Sequence, residues 1–150
     1  MLEITFWIVD EAKLPTSLAE KSDLKKYERL VHEVEQFGTV TDELRIRIEA
    51  LIHILEAIDK ELGNTGFLPV FTFNNSPFNV LGDDSDCPAF GYFSPDQAKD
   101  LHESLQQLPV AIVEGIIAKN GTLVEKVLDN FRRAASEASR KAYALAIVHE

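Results

Sequence analysis

The segment from Ala89 to Gln97 joins a short aromatic strand directly to a helix, and no other segment constrains the fold as strongly. Ser94 suits the N-cap, and Pro95 suits the first helical position, where a backbone N–H lacks a partner in any case. The Gln97 side chain can bond back to the Ser94 N–H. The segment therefore predicts a fold that mixes strands with helices, and its residues are structural rather than catalytic.

The chain has 150 residues, which predicts one domain over 1–150 with a core that needs no disulfide or metal. Its single cysteine excludes an internal disulfide and fits a reducing compartment. The N-terminus lacks the pattern of a signal peptide, and glycines, asparagines and prolines interrupt the uncharged stretch 62–82. We therefore expect a cytoplasmic protein with no membrane segment.

Hydrophobic periodicity predicts the α+β class, with a small, mostly antiparallel sheet of about three strands packed against four or five amphipathic helices. We expect the strands at 2–9, 67–73 and 89–93, with a further short strand at 78–81 as an option. The predicted helices cover 23–37, 41–62, 95–107, 110–118 and 122–148, and those at 41–62 and 122–148 supply most of the core. The run 110–118 also allows a strand, but Pro109 and Asn120-Gly121 favour a helix.

The net charge of the chain and its distribution indicate which classes of partner it can bind. The net charge of −10 disfavours general binding to nucleic acids and is compatible with a basic protein partner. Residues 119–150 differ from the rest, with six bases against four acids. Within them, Arg132, Arg133, Arg140 and Lys141 are interpreted as a solvated face that balances the negative end of the last helix. The alternative is contact with an anion or an acidic partner.

Reactive groups do not form a recognisable catalytic or metal-binding pattern. Cys87 lies beside Asp83, Asp84 and Asp86, whose charges would raise the pKa of its thiol and blunt it as a nucleophile. The same three acids lack the ligand spacing of a calcium loop. The four histidines show no spacing typical of metal ligands. The sequence therefore predicts no catalytic residue, no metal and no cofactor.

Three features resemble the YfbM-like family of uncharacterised bacterial proteins. They are the aromatic strand Phe6-Trp7-Ile8-Val9, the loop Leu81-Gly82-Asp83 leading to the junction Phe90 to Gln97, and the Ala-rich ending from Phe131 to Val148. The chain departs from the family in having Phe93-Ser94 for the usual Leu-Thr, and in lacking a tryptophan after the junction helices. The resemblance implies a bacterial protein and a fold, and it assigns no catalytic residue.

Two function hypotheses from different classes follow. The first is a non-catalytic protein that binds a basic protein partner, for example an immunity or inhibitor protein that neutralises a basic toxin. The second is a small-molecule-binding protein or enzyme with a pocket between the aromatic segment 67–93 and the helix that begins at Ser94. Its candidate ligand-binding residues are Asn79, Asp83, Tyr92, Ser94 and His102.

A homodimer formed through the Ala-rich last helix is compatible with both hypotheses.

The hypothesis of a non-catalytic binding protein rests on the expectation that apolar side chains fill the interior. Three or more polar, titratable groups converging in a solvent-reachable hollow would contradict it.

Overall fold

The computed structural model describes residues 2–63, 67–71, 73–82 and 89–149. The strands are β1 (Leu2–Val9), β2 (Thr39–Ile46), β3 (Phe90–Phe93) and β4 (Ala144–His149). The helices are α1 (Asp23–Phe37), α2 (Ile48–Glu61), the single turn α3 (Leu68–Phe71), α4 (Pro95–Gln106), α5 (Val110–Asn120) and α6 (Leu123–Lys141). Short 3-10 turns lie at Glu11–Lys13 and Pro77–Asn79. The predicted α+β class is confirmed.

The four strands form one antiparallel sheet in the order β2-β1-β4-β3. The strands β1 and β4 therefore lie side by side at the centre of the sheet, where Trp7 lies opposite Ala146. Segment 73–75 covers the outer edge of β3, because the Phe90 N–H donates to the Phe73 carbonyl at 3.0 Å and the Asn75 amide Nδ2 donates to the Tyr92 carbonyl at 2.7 Å. The strand β2 forms the opposite edge.

Helices cover both faces of the sheet. Alternate side chains of each strand point to opposite faces, so Phe6 and Ile8 join one apolar cluster while Val9 joins the other. The first cluster draws on helices α2 to α6, and the second draws on Leu30 and Val34 of α1. The molecule is therefore a three-layer arrangement with α1 alone on one side.

Phe131 of α6 lies at the centre of the larger cluster. Its ring meets Phe6 at a centroid distance of 5.1 Å, Phe71 at 5.6 Å and Phe93 at 6.5 Å, all edge to face. Such pairs add about 0.5–1.5 kcal/mol each beyond the area that they bury. This packing fixes α6 against the sheet and so positions the opposite, polar face of the helix.

The predicted strand at 67–73 is wrong. Residues 68–71 form the helical turn α3 instead, and the option of a strand at 78–81 is replaced by the 3-10 turn Pro77–Asn79. A helical turn places Phe67 and Phe71 on one side, where each packs against Phe93 at 5.7 Å. An extended strand would also place both rings on one face, but Pro69 favours the start of a helix.

The predicted helix at 41–62 begins too early. Residues 39–46 form the strand β2, and the helix α2 starts only at Ile48. Leu44 fits the helical stripe that continues through Ile48 and Leu51, whereas Leu44 and Ile46 together fit the alternation of a strand, and both point into the core. Pairing with β1 decides between the two, since it satisfies backbone groups of a central strand that would otherwise be buried without partners.

The predicted helix at 122–148 ends too late. The helix α6 stops at Lys141, Ala142 takes a left-handed conformation with φ 56°, and residues 144–149 form β4. Leu145 and Ile147 point to the larger cluster, while Ala146 joins the smaller one. Residues 144–148 are all apolar and buried, because both faces of a central strand are covered.

Two local predictions are confirmed. The Ser94 hydroxyl accepts from the Gln97 N–H at 3.3 Å, and the Gln97 side chain accepts from the Ser94 N–H at 3.0 Å, so the helix α4 begins with the expected capping box. Residues 110–120 are helical, as Pro109 and Gly121 favour.

Candidate functional site

A solvent-open groove of about 640 Å³ runs along the C-terminal half of α6, between that helix, α4 and the start of β2. Its volume falls within the range of roughly 300–1,000 Å³ that is usual for small-molecule sites. The helices contribute Arg132, Arg133, Ser136, Glu137 and Lys141 from α6, and His102 and Gln106 from α4. The strands contribute Ile8, Thr39, Val40 and Thr41.

The sequence of α6 places its charged residues on the groove side. The helix is strongly amphipathic, and the residues of its apolar face, such as Val127, Phe131 and Ala135, are at most 2% exposed. Residues 132, 133, 136, 137 and 141 occupy the remaining face. Burial of the apolar stripe therefore forces three cations and one carboxylate toward the groove.

Arg133 is held in place by two neighbours. Its guanidinium donates to Asp42 of β2 through Nη2 at 2.7 Å and Nε at 3.1 Å, and Nη2 also donates to the Asn130 side-chain oxygen at 2.8 Å. The hydrogen bond to Asp42 raises the pKa of Arg133 above its usual value, so its positive charge is permanent. Arg133 is thus an oriented cation on the groove wall.

Arg132 and Lys141 are less constrained. The nearest carboxylate oxygen to Arg132 belongs to Asp129, at 3.9 Å from Nη1, which is too long for a hydrogen bond. Within the described ranges, no hydrogen bond or ion pair engages the Lys141 ammonium group, which is exposed. Both side chains can therefore turn toward an incoming anion without breaking a strong contact.

Glu137 lies between these cations along α6, but its carboxylate is already engaged. The Arg140 guanidinium donates to it at 2.6 Å. This hydrogen bond, with the charges of Arg140 and Lys141, holds the pKa of Glu137 below its usual value. The groove lining thus includes three cationic side chains, of which Arg133 is already paired with Asp42, and one carboxylate, Glu137, which remains ionised near neutral pH.

The sheet side of the groove is partly apolar. Val40 is 40% exposed, whereas Ile8 is buried at 3%. The Thr41 hydroxyl donates to the Phe6 carbonyl at 3.4 Å, close to the bulge between Phe6 and Trp7. The groove therefore combines an apolar wall with polar groups on α6, as sites for small organic molecules usually do.

The structure does not bring the predicted ligand-binding residues together. His102 lies on α4 and lines the groove, whereas Tyr92 belongs to the apolar cluster on the opposite face of the sheet. Ser94 is used by the capping box, and Asn79 lies exposed in the 3-10 turn with φ 53°. Asp83, like Cys87 and its other acidic neighbours, falls outside the described residues.

Tyr92 has a structural partner rather than a ligand. Its hydroxyl donates to the Glu11 carboxylate, which joins the first 3-10 turn to the sheet. Burial, together with this hydrogen bond and the charge of Glu11, raises the pKa of Tyr92 well above its usual value. The phenol therefore stays protonated and acts as a donor.

Neither a cluster of metal ligands nor a membrane-spanning helix occurs in the described part of the chain. Among these residues, histidines, cysteines and carboxylates nowhere gather in groups of three or more that could hold a metal. Within the same ranges, the helices are too short or too polar to cross a bilayer.

A second groove lies between α2 and α5 and has a volume of about 220 Å³. Its lining includes the apolar residues Ala57, Ile112 and Ile116 and the two lysines Lys60 and Lys119. This volume is below the usual range for a small-molecule site. The groove along α6 is therefore the stronger candidate.

The part of the groove that α6 contributes could be recognised from the sequence, whereas the part that β2 contributes could not. Arg132, Arg133 and Lys141 stood out as a basic group, but solvation was the simpler interpretation. Residues 39–41 were missed because 39 and 40 lay between two predicted helices and Thr41 lay at the start of the second. The alternation of Val40, Asp42, Leu44 and Ile46 was the available signal for a strand.

The chain matches no family model, no curated protein and no solved structure. The resemblance to the YfbM-like family therefore stays a prediction.

Proposed function

We propose that the protein binds a small organic anion in the groove between α4, α6 and β2. The observation that carries this proposal is the convergence of Arg132, Arg133 and Lys141 on one solvent-open groove in a chain whose net charge is −10. Charge-assisted hydrogen bonds from such groups to a carboxylate or phosphate contribute about 1.5–3 kcal/mol each.

Titratable side chains converge on this groove, which bears on the sequence-based expectation of an interior filled by apolar side chains. Five titratable side chains line the groove: His102, Arg132, Arg133, Glu137 and Lys141. Three or more titratable groups converging in a solvent-reachable hollow are the observation that would contradict the first hypothesis. The lining of the groove therefore weighs against a protein that has no small-molecule site. It favours the second hypothesis, but at a different place from the predicted pocket beside Ser94.

Binding is the activity that this geometry supports. Arg133 is fixed by Asp42, and Glu137 is tied to Arg140, so neither group is poised to exchange a proton near neutral pH. The cations orient an anionic group, while Val40 offers apolar contact to its carbon skeleton. We therefore assign recognition, and no chemical step, to the groove.

Octanoate is a suitable probe, since it joins one carboxylate to an apolar chain. In a titration of ¹⁵N-labelled protein followed by NMR, we expect the largest shifts at the backbone amides of residues 39–41, 102–106 and 132–141. Octylamine, of the same length and opposite charge, is the matched control and should leave these amides unchanged. Shifts confined to other surfaces, or equal shifts with octylamine, would refute the proposal.

The hypothesis of a basic protein partner keeps separate support, namely the excess of acids in residues 1–118. A pull-down from native bacterial lysate at low and moderate salt tests it, and recovery of no partner under either condition counts against it. A cytoplasmic location in a bacterium is proposed with both functions, because the single cysteine suits a reducing compartment.

A further inference from the structure

Cations stand at both ends of the groove. Arg132 and Lys141 lie nine residues apart on α6, which corresponds to about 13.5 Å along the helix axis. Arg133 lies beside the first of these, and its position is fixed by Asp42. One compact anion therefore cannot contact both ends unless the long side chains fold toward each other.

The middle of the groove is unfavourable for an anion. Glu137 stands between the two ends of the helix segment, and its carboxylate is ionised because Arg140 donates to it at 2.6 Å. A second negative charge brought beside it would be repelled. A compact polyanion placed centrally would meet this repulsion.

The middle of the groove also carries uncharged groups, which can contact the uncharged part of a ligand. Ser136 supplies a hydroxyl from α6, and Val40 presents an apolar surface that is 40% exposed. Methylene groups can contact Val40, which removes apolar surface from water and favours binding. The charge pattern along the groove is thus positive, neutral to negative, and positive again.

From this pattern we infer that the ligand is an elongated dianion, with an anionic group at each end and an uncharged body between them. The inference rests on the proposed function and adds the shape and charge distribution of the ligand. One end is bound by Arg132, beside Arg133, whose guanidinium keeps its pair with Asp42. The other end is bound by Lys141.

Isothermal titration calorimetry with carboxylates of matched length tests the inference. Suberate carries a carboxylate at each end, whereas octanoate, with the same number of carbons, carries one. We expect suberate to bind at least tenfold more tightly than octanoate. Among dicarboxylates, affinity should rise from succinate through adipate to suberate, because the shorter ones cannot reach both ends.

Single variants separate the two ends. Arg132→Gln and Lys141→Gln should each weaken suberate binding about tenfold, which is the loss of one charge-assisted contact. Each should weaken octanoate binding only about twofold, because the monoanion can still use the other end. Lys126→Gln, an equal loss of charge at an exposed position of the same helix outside the groove, should leave both affinities unchanged.

The outcomes distinguish this inference from the proposed function. If octanoate and suberate bind with equal affinity in the groove, the elongated dianion is wrong while anion binding stands. The same holds if succinate binds as tightly as suberate. If none of these carboxylates binds, both proposals fail.

Discussion

Arg133 and Asp42, 91 residues apart in the chain, form a forked ion pair across the boundary between α6 and the edge strand β2. Both carboxylate oxygens accept from the guanidinium, at 2.7–3.2 Å. The pair joins a helix to a strand and sets one wall of the groove. Among the described residues, it is the only ion pair that joins α6 to a distant part of the chain.

This pair should contribute a small, measurable coupling to folding. Asp42 is 12% exposed and Arg133 is 59% exposed, so solvent screens the interaction in part. In a double-mutant cycle with Asp42→Ala and Arg133→Ala, urea unfolding should give a coupling of about 0.5–1 kcal/mol that decreases at high salt. Effects of the two changes that simply add would mean that the pair is not formed in solution.

The Ser94 cap of α4 should contribute to the free energy of unfolding, although Ser94 is partly exposed. Ser94→Ala removes the acceptor of the Gln97 N–H, and we expect the free energy of unfolding to fall by about 1 kcal/mol. Ser104→Ala makes the same chemical change inside the same helix, where alanine is the better helix former, and should not destabilise the protein. Equal effects of the two variants would argue against the capping box.

Gly38, between α1 and β2, is required by close backbone approach. A Cβ at this position would lie 2.6 Å from the Val34 carbonyl oxygen and 3.2 Å from that of Ile8. We expect Gly38→Ala to cost about 1–3 kcal/mol in a denaturant titration, as overpacking does. Gly115→Ala is the matched control, because open space surrounds that position in α5, and it should stabilise the helix by about 0.5–1 kcal/mol.

Ala142 ends α6 in a conformation that suits glycine better. Its φ is 56°, and the next N–H, of Tyr143, donates to the Ala138 carbonyl at 2.8 Å, as in a Schellman motif. Ala142→Gly should therefore raise the midpoint of urea unfolding, with a gain of about 1 kcal/mol. Ala118→Gly, within α5, should lower it by about the same amount. A loss of stability in both variants would contradict the left-handed end.

Local signals predicted local structure well. Ser94, Pro95 and Gln97 define the start of α4 through contacts within four residues, and Pro109 with Gly121 bounds α5 in the same way. The α+β class followed from these junctions and from the apolar pattern of residues 2–9. Nothing distant in the sequence can change such contacts.

Strands were predicted less well because their stability depends on distant partners. Leu44 fitted a helical stripe with Ile48 and Leu51 until pairing with β1 was known, and residues 144–149 continued the apolar pattern of α6. Phe67 and Phe71 likewise fitted either state. In each case the deciding contacts lie tens of residues away, so a local pattern cannot identify them.

The composition of the candidate site also depends on contacts between residues that are distant in the sequence. His102 was predicted as a ligand-binding residue and does line the groove, but its neighbours there come from α6 and β2 rather than from the aromatic segment. Tyr92 was paired with it in the sequence-based hypothesis, yet alternation along β3 directs that side chain to the other face of the sheet. Which face a strand residue occupies depends on the register, and the register was unknown.

The affinity of octanoate for charge-reversed variants tests the central claim most directly. Arg132→Glu combined with Lys141→Glu replaces the cations at both ends of the groove, and calorimetry should show binding at least tenfold weaker than in the unmodified protein. Lys99→Glu combined with Lys126→Glu makes the same change of charge at exposed positions outside the groove and should alter the affinity by less than about twofold, since salt screens distant charges. Equal losses in the two double variants would show that net charge, and not the groove, binds the anion.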